Sequence, residues 1–231
     1  MAQKTPSIIK LDVGCGAEKR EGYIGMDARA LSGVDIVHNF EKFPWPVADE
    51  SVSLLNASHV LEHVSPASTD PRLSGLIRLL KAKGAITDME IERYIGEPEV
   101  FGTFIRFMDE AWRVLSPGGQ FTFVVPYAGS PGYWQDPTHI NPISETTLAY
   151  FDPSHPSGLW RIYEPRPWKV MSLSFDRTGN LEVVLEKRPQ GAPYDVSPAF
   201  APKGRSIVRS VLWRLRRANA AMTRYIDRQT L

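Results

Sequence analysis

The chain has 231 residues, is 42% hydrophobic and carries a formal net charge of +1. It can bury a sizeable core and suits one domain with additions, whereas two full domains would be cramped. A single cysteine, Cys15, excludes an internal disulfide, and no apolar segment precedes the first predicted strand, so neither secretion nor a membrane span is supported. We expect a cytoplasmic protein.

The first predicted strand follows Ile8 and ends in a glycine-containing turn, Leu11-Asp12-Val13-Gly14-Cys15-Gly16. Glycine permits positive φ and lets a ligand approach the backbone closely. A dinucleotide fingerprint would need a third glycine three residues after the second, but Lys19 stands there. The turn therefore predicts a ligand other than NAD.

Two further apolar runs, residues 23–27 and 34–40, follow along the chain. The connection before the first of them, residues 17–22, is short, so we expect its crossover helix to be rudimentary or absent. Two later blocks complete the pattern, Ala-Ser-His-Val-Leu-Glu-His at 57–63 and Glu-Ala-Trp-Arg-Val-Leu-Ser-Pro-Gly-Gly at 110–119.

In this order the blocks resemble class I S-adenosylmethionine-dependent methyltransferases, especially the small type 11 members. The resemblance covers about residues 8–188. It implies an α/β fold: a Rossmann-like, doubly wound, seven-stranded and mostly parallel sheet, with an antiparallel last strand between strands five and six. It also implies S-adenosyl-L-methionine as the cofactor.

The resemblance also implies a cofactor site. Asp27 would accept hydrogen bonds from the ribose diol, and Asn39 and Phe40 would contact adenine, although the family usually has an acid at position 39. Gly14 and Gly16 would make room for the methionine portion. The predicted cofactor residues are Asp12, which would orient the turn or meet the amine, Gly14, Cys15, Gly16, Asp27, Asn39, Phe40, Ser58 and His59.

A long segment from about residue 65 to 100 is predicted to be an inserted helical lid. Its first helix carries the apolar stripe Leu73, Leu76, Ile77 and Leu80 and ends at Gly84. A second helix is expected near Thr87, and a third from about residue 98 to 115. Strand five is expected at residues 120–125, after the Pro-Gly-Gly turn.

The region from about 127 to 167 is predicted to hold the acceptor loops and one short helix, residues 144–150, capped by Ser144 with Thr147 just inside it. Two apolar runs, residues 170–175 and 181–185, flank the turn Asp-Arg-Thr-Gly-Asn and predict a β-hairpin.

Three histidines, His59, His63 and His139, are expected at the carboxyl ends of strands four and five, the edge where open α/β sheets bind ligands. We predict His139 as general base with Asp136 as its orienter or partner base, and His59 as the second choice. Four aromatic side chains are candidates for an acceptor wall or for packing: Tyr127, Tyr133, Trp134 and Phe151.

Two alternatives remain open. His59, Glu62 and His63 fit the His-x-x-Glu-His pattern of zinc hydrolases, but that chemistry requires a long helix and Ser65-Pro66 would interrupt one. The second alternative is a cofactor-binding interaction module without transfer activity. For the main hypothesis no metal is expected.

From Lys203 onward eight basic residues stand against one acid, with apolar residues at helical spacing. This predicts a basic amphipathic helix that packs on its own domain or on a second copy, or lies on an anionic membrane surface; nucleic acid is the weaker alternative. We thus predict a methyltransferase domain at 1–190, and a linker with the basic helix at 191–231. The expected acceptor is a small molecule or a glycan or lipid precursor, methylated on oxygen.

Overall fold

The computed structural model describes residues 9–65, 79–87, 102–191 and 193–201. Seven strands form one sheet in the order β3-β2-β1-β4-β5-β7-β6. Strands β1 to β5 pair in parallel, whereas β7 pairs antiparallel with both β5 and β6. Their bounds are β1 Ile9–Val13, β2 Ile24–Asp27, β3 Ile36–Val37, β4 Val52–Ser58, β5 Leu115–Pro126, β6 Trp168–Phe175 and β7 Asn180–Lys187. The predicted seven-stranded α/β sheet, with its last strand between strands five and six, is confirmed.

The central strands carry apolar residues because both of their faces are covered. Leu11 of β1 is paired with Leu55 of β4, which in turn is paired with Phe121 of β5, and all three side chains are buried. The Phe121 ring also packs against Trp168 of β6, so the apolar core continues into the antiparallel part of the sheet.

Helix α1, Thr103–Val114, leads into β5 and is the one helix longer than four residues in the described part of the chain. Its buried face includes Phe107, whose ring meets Trp45 and Phe121 at centroid distances of 5.3 and 6.3 Å. The prediction placed its start near residue 98, which is wrong: Gly102 is the flanking residue and the helix starts at Thr103.

Strand β5 also starts earlier than predicted. Leu115 follows α1 directly and pairs with Val52, and the register shifts before Gln120 pairs with Leu54. The Pro-Gly-Gly segment therefore lies within the strand as an irregularity rather than before it as a turn, with Gly118 at a φ of 71°.

The connections after β1 and β2 are short. Residues 14–23 and 28–35 form turns and bends without a helix, which confirms that the first crossover helix is absent. Beyond β5, the short helices α2, Pro131–Trp134, and α3, Glu145–Leu148, lie in the region predicted to hold the acceptor loops. Ser144 precedes α3 and its amide donates to Thr147 Oγ1, as the capping prediction expects, but the helix is shorter than the predicted 144–150.

The predicted hairpin is also present. The Asp176 carboxylate accepts hydrogen bonds from the amides of Thr178 and Asn180, which fixes the turn between β6 and β7. In the insertion, residues 79–82 are helical and Gly84 follows at a φ of 65°, as expected for a helix that ends there.

Several predictions fall outside the described residues. They are the apolar positions Leu73, Leu76 and Ile77, the helix near Thr87-Asp88 beyond residue 87, and the basic helix from Lys203 onward. Among the described helices, none is long and apolar enough to cross a membrane.

Candidate functional site

The carboxyl ends of β1, β2, β4 and β5 meet at one edge because these strands are parallel neighbours. Most predicted site residues lie in or just after these strands, and so at this edge. They form two groups, a turn region after β1 and β2 and a histidine region after β4 and β5.

The glycine turn after β1 is held by backbone contacts. Gly14 has a φ of 66° and its amide donates to the Met26 carbonyl at 2.7 Å. A Cβ on Gly14 would lie 2.5 Å from Val60 Cγ2, so the turn packs directly against the segment that carries His59. Gly16 has a φ of 61°, and apart from its chain neighbours no atom of the described residues lies within 4 Å of the position of its missing Cβ. The turn is therefore closed at its first glycine and open at its second.

Asp12 is buried and both of its carboxylate oxygens are used within the chain. Oδ2 accepts the Arg20 amide at 2.8 Å and Oδ1 accepts Asn56 Nδ2 at 2.6 Å. Of its two predicted roles, the geometry favours orienting the turn. Sequence reasoning missed Asn56, whose partner is evident only from the register of β1 with β4.

Asp27 ends β2 and is 8% exposed. Its Oδ2 accepts the Gly16 amide at 3.1 Å, and its Oδ1 accepts the Arg29 amide at 3.0 Å. An ionised carboxylate has about four acceptor positions. Two backbone donors therefore fix this group while leaving capacity for further hydroxyl donors.

Three other predicted cofactor residues have contacts within the chain. The Cys15 thiol faces the Gly33 carbonyl at 3.8 Å, and burial raises the pKa of Cys15. Asn39 Oδ1 accepts the Glu41 amide at 2.9 Å, so the oxygen expected to meet adenine is engaged in a turn. The Phe40 ring packs edge-on against Phe107 of α1 at 6.0 Å.

His59 follows Ser58 at the end of β4, and both residues are exposed. His59 has a φ of 54° and its amide donates to the Val124 carbonyl of β5. Its Nδ1 lies 3.2 Å from Oε1 of Glu62, and this hydrogen bond raises the pKa of His59 above its usual value. Glu62 is fully buried, and its Oε2 has no hydrogen-bond partner among the described residues.

His63 and His139 lie against each other with ring centroids 4.8 Å apart. His139 Nδ1 is 2.8 Å from the Tyr133 carbonyl, and its Nε2 is 3.7 Å from Asp136 Oδ2, so the predicted pair is close but not hydrogen-bonded. Thr138 donates to Asp136 through its amide and hydroxyl, and these bonds hold the pKa of the Asp136 carboxyl below its usual range.

The loop that carries His139 is fastened to the segment after β4. The amides of Ile140 and Asn141 both donate to the Glu62 carbonyl, at 2.8 and 3.0 Å. Sequence reasoning placed the histidines at one edge but missed this return of the loop and the Tyr133 carbonyl. No local sequence signal encodes either contact.

The four aromatic candidates have different environments. Phe151 is buried against Phe104, and Tyr133 is buried with its ring 5.5 Å from that of His139. Tyr127 packs on Phe175, whereas Trp134 is 73% exposed. Packing is thus the observed environment of the first three, and Trp134 remains as a candidate acceptor wall.

The zinc alternative required His59, Glu62 and His63 within a long helix. The segment instead contains a three-residue 3-10 helix, Leu61–His63, and His59 precedes it. Within the described residues, the potential ligand atoms that cluster belong to Glu62, His63 and His139, all within 4.8 Å of one another.

No protein-family model and no curated protein matches the chain. Similar solved structures include an S-adenosylmethionine-dependent methyltransferase from Archaeoglobus fulgidus, at 14% identity over 78% of this chain and 86% of the other, with a TM-score of 0.45. One from Thermotoga maritima has 14% identity over 80% and 84%, with a TM-score of 0.45. At these scores the similarities carry no argument about activity, and the fold rests on the strand order of the chain itself.

That order, with β7 antiparallel between β5 and β6, decides the architecture. The chain has the strand order that the resemblance to class I methyltransferases predicts. Within this class I fold the chain departs from a full Rossmann-like unit after β1, where turns replace the first crossover helix. Residues 14–23 therefore offer no helix N-terminus that could face an anionic group.

A surface pocket of about 600 Å³ lies at the opposite edge of the class I sheet. Its lining includes Glu50, Arg113 and Lys187, which are near the amino ends of β4 and β5. Lys187 is bound to Glu50 at 3.0 Å, and Arg113 is paired with Glu110. These ion pairs link the chain segments at that edge, and the pocket lies away from the predicted site residues.

Proposed function

We propose that the protein is an S-adenosylmethionine-dependent methyltransferase. The observation that carries this proposal is the Asp27 carboxylate, fixed at the end of β2 by the Gly16 and Arg29 amides with acceptor capacity left over. It stands beside an open glycine turn, at the ligand-binding edge of a class I sheet.

The residues present fit this cofactor. Asp27 would hold the ribose hydroxyls, the open space beside Gly16 would admit the methionine portion, and the Phe40 ring would offer an apolar surface for adenine. Asp12 would act indirectly, by fixing the turn through the Arg20 amide. When bound, S-adenosylmethionine supplies an electrophilic methyl group on a sulfonium.

On the acceptor side, we assign proton removal to His59 rather than to the first-choice pair of His139 and Asp136. The His59 side chain is 49% exposed, whereas that of His139 is 7% exposed. Glu62 accepts from Nδ1 of His59, which leaves Nε2 to take a proton from an acceptor hydroxyl. A base is useful for a hydroxyl acceptor because the hydroxyl is protonated at neutral pH.

The assignment of His59 as the base favours a hydroxyl as the acceptor group. We propose methylation on oxygen of a small molecule or a glycan or lipid precursor, held near the exposed Trp134. We also propose that the protein is cytoplasmic. For the basic segment from Lys203 onward we propose binding to an anionic membrane surface or self-association.

The test is calorimetric titration of the full chain with S-adenosylmethionine. We expect micromolar binding, abolished by Asp27→Ala. Glu18→Ala is the matched control, because it removes an exposed carboxylate from the same turn region. An absence of binding to well-folded wild-type protein, or equal loss in both variants, would overturn the assignment.

A further inference from the structure

We propose that Glu62, His63 and His139 form a binding site for a divalent transition-metal ion. One potential ligand atom from each residue lies within 4.8 Å of the other two. Glu62 and His63 belong to the turn after β4, and His139 comes from the loop after β5. The two segments are joined by the amides of Ile140 and Asn141, which bind the Glu62 carbonyl.

Hydrogen bonds direct the same nitrogen of each histidine toward ligation. Nδ1 of His139 can donate to the Tyr133 carbonyl at 2.8 Å, and Nδ1 of His63 can donate to the Thr138 carbonyl at 3.2 Å. Each ring then carries its lone pair on Nε2. Metal-bound histidines commonly donate their other ring N–H to a carbonyl or carboxylate in this way.

Glu62 gives an independent indication of a ligand. Its side chain is fully buried, His59 engages Oε1, and Oε2 has no hydrogen-bond partner in the part of the chain that the structure describes. A buried carboxylate oxygen without a partner is costly, and buried charges in proteins are normally paired or bound to metal. A cation between Glu62 and the two rings would remove this cost.

Two imidazoles and one carboxylate suit zinc and its first-row neighbours. Ligand bonds of about 2.0–2.2 Å would require the three atoms to draw together by about 1 Å, which side-chain rotation can provide. Three protein ligands leave a further position open. If the proposed function holds, an acceptor oxygen bound there would be polarised beside His59; metal binding itself does not depend on that function.

The first experiment is calorimetric titration of the chelator-treated full chain with zinc sulfate. The second is titration with Co²⁺, whose binding is measured by its visible absorption. We expect one ion per chain and at least about 100-fold weaker binding in Glu62→Gln, His63→Gln and His139→Gln, since loss of even an outer-shell partner costs 10–100-fold. His155→Gln is the matched control, a half-buried histidine in the loop after α3, and should bind like wild type.

Circular dichroism checks that each variant is folded. Because Glu62→Gln is nearly isosteric, it is expected to fold even if a histidine variant does not, and the test then rests on it. Failure of folded wild-type protein to bind zinc would overturn the site. So would unchanged binding in the three variants, or binding lost in His59→Ala and retained in His139→Gln, which would indicate the His-x-x-Glu-His set. Titration with S-adenosylmethionine is read separately, so either proposal can fail while the other stands.

Discussion

The two halves of the site use their buried acids in opposite ways. After β1 and β2, both oxygens of Asp12 and of Asp27 accept hydrogen bonds within the chain. After β4 and β5, Glu62 keeps one buried oxygen without a partner. In the first half each carboxylate oxygen is held by a donor of the chain, whereas in the second half one buried carboxylate oxygen has no partner among the described residues, as is expected where binding or chemistry takes place.

The largest effect that sharpens this comparison is expected at Gly14. Gly14→Ala introduces a side chain at positive φ, costing about 1–2 kcal/mol, and forces a Cβ to within 2.5 Å of Val60 Cγ2, costing about 1–3 kcal/mol more. Gly16→Ala meets open space and should lose only the first of these contributions. Urea unfolding of both variants measures the difference; equal losses would mean that the turn does not pack against the histidine segment as described.

Asp12→Ala should be the next most damaging change. It leaves the buried Asn56 amide and the Arg20 amide without their acceptor, and an unsatisfied buried donor costs about 1–3 kcal/mol. We expect a loss of about 2–4 kcal/mol in the free energy of unfolding. Glu18→Ala, in the same turn region but exposed, should change stability by less than about 0.5 kcal/mol.

Glu62→Met tests the other half directly. Because one buried oxygen of Glu62 lacks a partner, an apolar side chain of similar length should leave the metal-free protein within about 1 kcal/mol of wild type or make it more stable. The same substitution should abolish zinc binding. A loss of stability as large as that of Asp12→Ala would show that the two acids do not differ, and would break the comparison.

The sequence predicted the two halves unequally well, for physical reasons. Strand ends depend on local apolar runs and glycines, so residues 9–16 and the hairpin at Asp176 could be placed from the amino-acid pattern alone. Parallel strands then bring their carboxyl ends together whatever the loops do, which is why His59, His63 and His139 were expected at one edge.

Contacts that depend on strand register or loop return could not be predicted in this way. Asp12 meets Asn56 only because β1 and β4 align those positions, and Glu62 approaches His139 only because the loop after β5 folds back onto the Glu62 carbonyl. The inclusion of Pro-Gly-Gly in β5 likewise follows from the pairing of Leu115 with Val52 of β4, not from local propensity.

A smaller effect is expected in the titration of His59. The hydrogen bond to Glu62 raises the pKa of His59, so Glu62→Gln should lower that pKa toward its ordinary value. Stability gained from this pair is present below the unfolded-state pKa and is lost as pH rises through the higher folded-state pKa. Proton-detected NMR titration of the histidine rings follows the change, with His155 as the internal reference. An unchanged pKa for His59 in Glu62→Gln would show that the hydrogen bond to Glu62 does not cause the raised pKa.

The smallest effect should come from Asp35, which holds the first half from outside. It accepts hydrogen bonds from Lys19 Nζ at 2.5 Å and from the Gly25 amide at 2.7 Å, and these bonds lower the pKa of its carboxyl. Since the folded-state pKa lies below the unfolded one, the stabilisation is complete above the ordinary value of 3.8 and is lost as pH falls through the lower folded value. Asp35→Asn should therefore be less stable than wild type at pH 7, and the gap should narrow below about pH 4. Paired urea unfolding across this range checks it. A gap that does not change with pH would indicate that the turn region is held by its backbone bonds alone, and that exposed charge contributes nothing to the first half of the site.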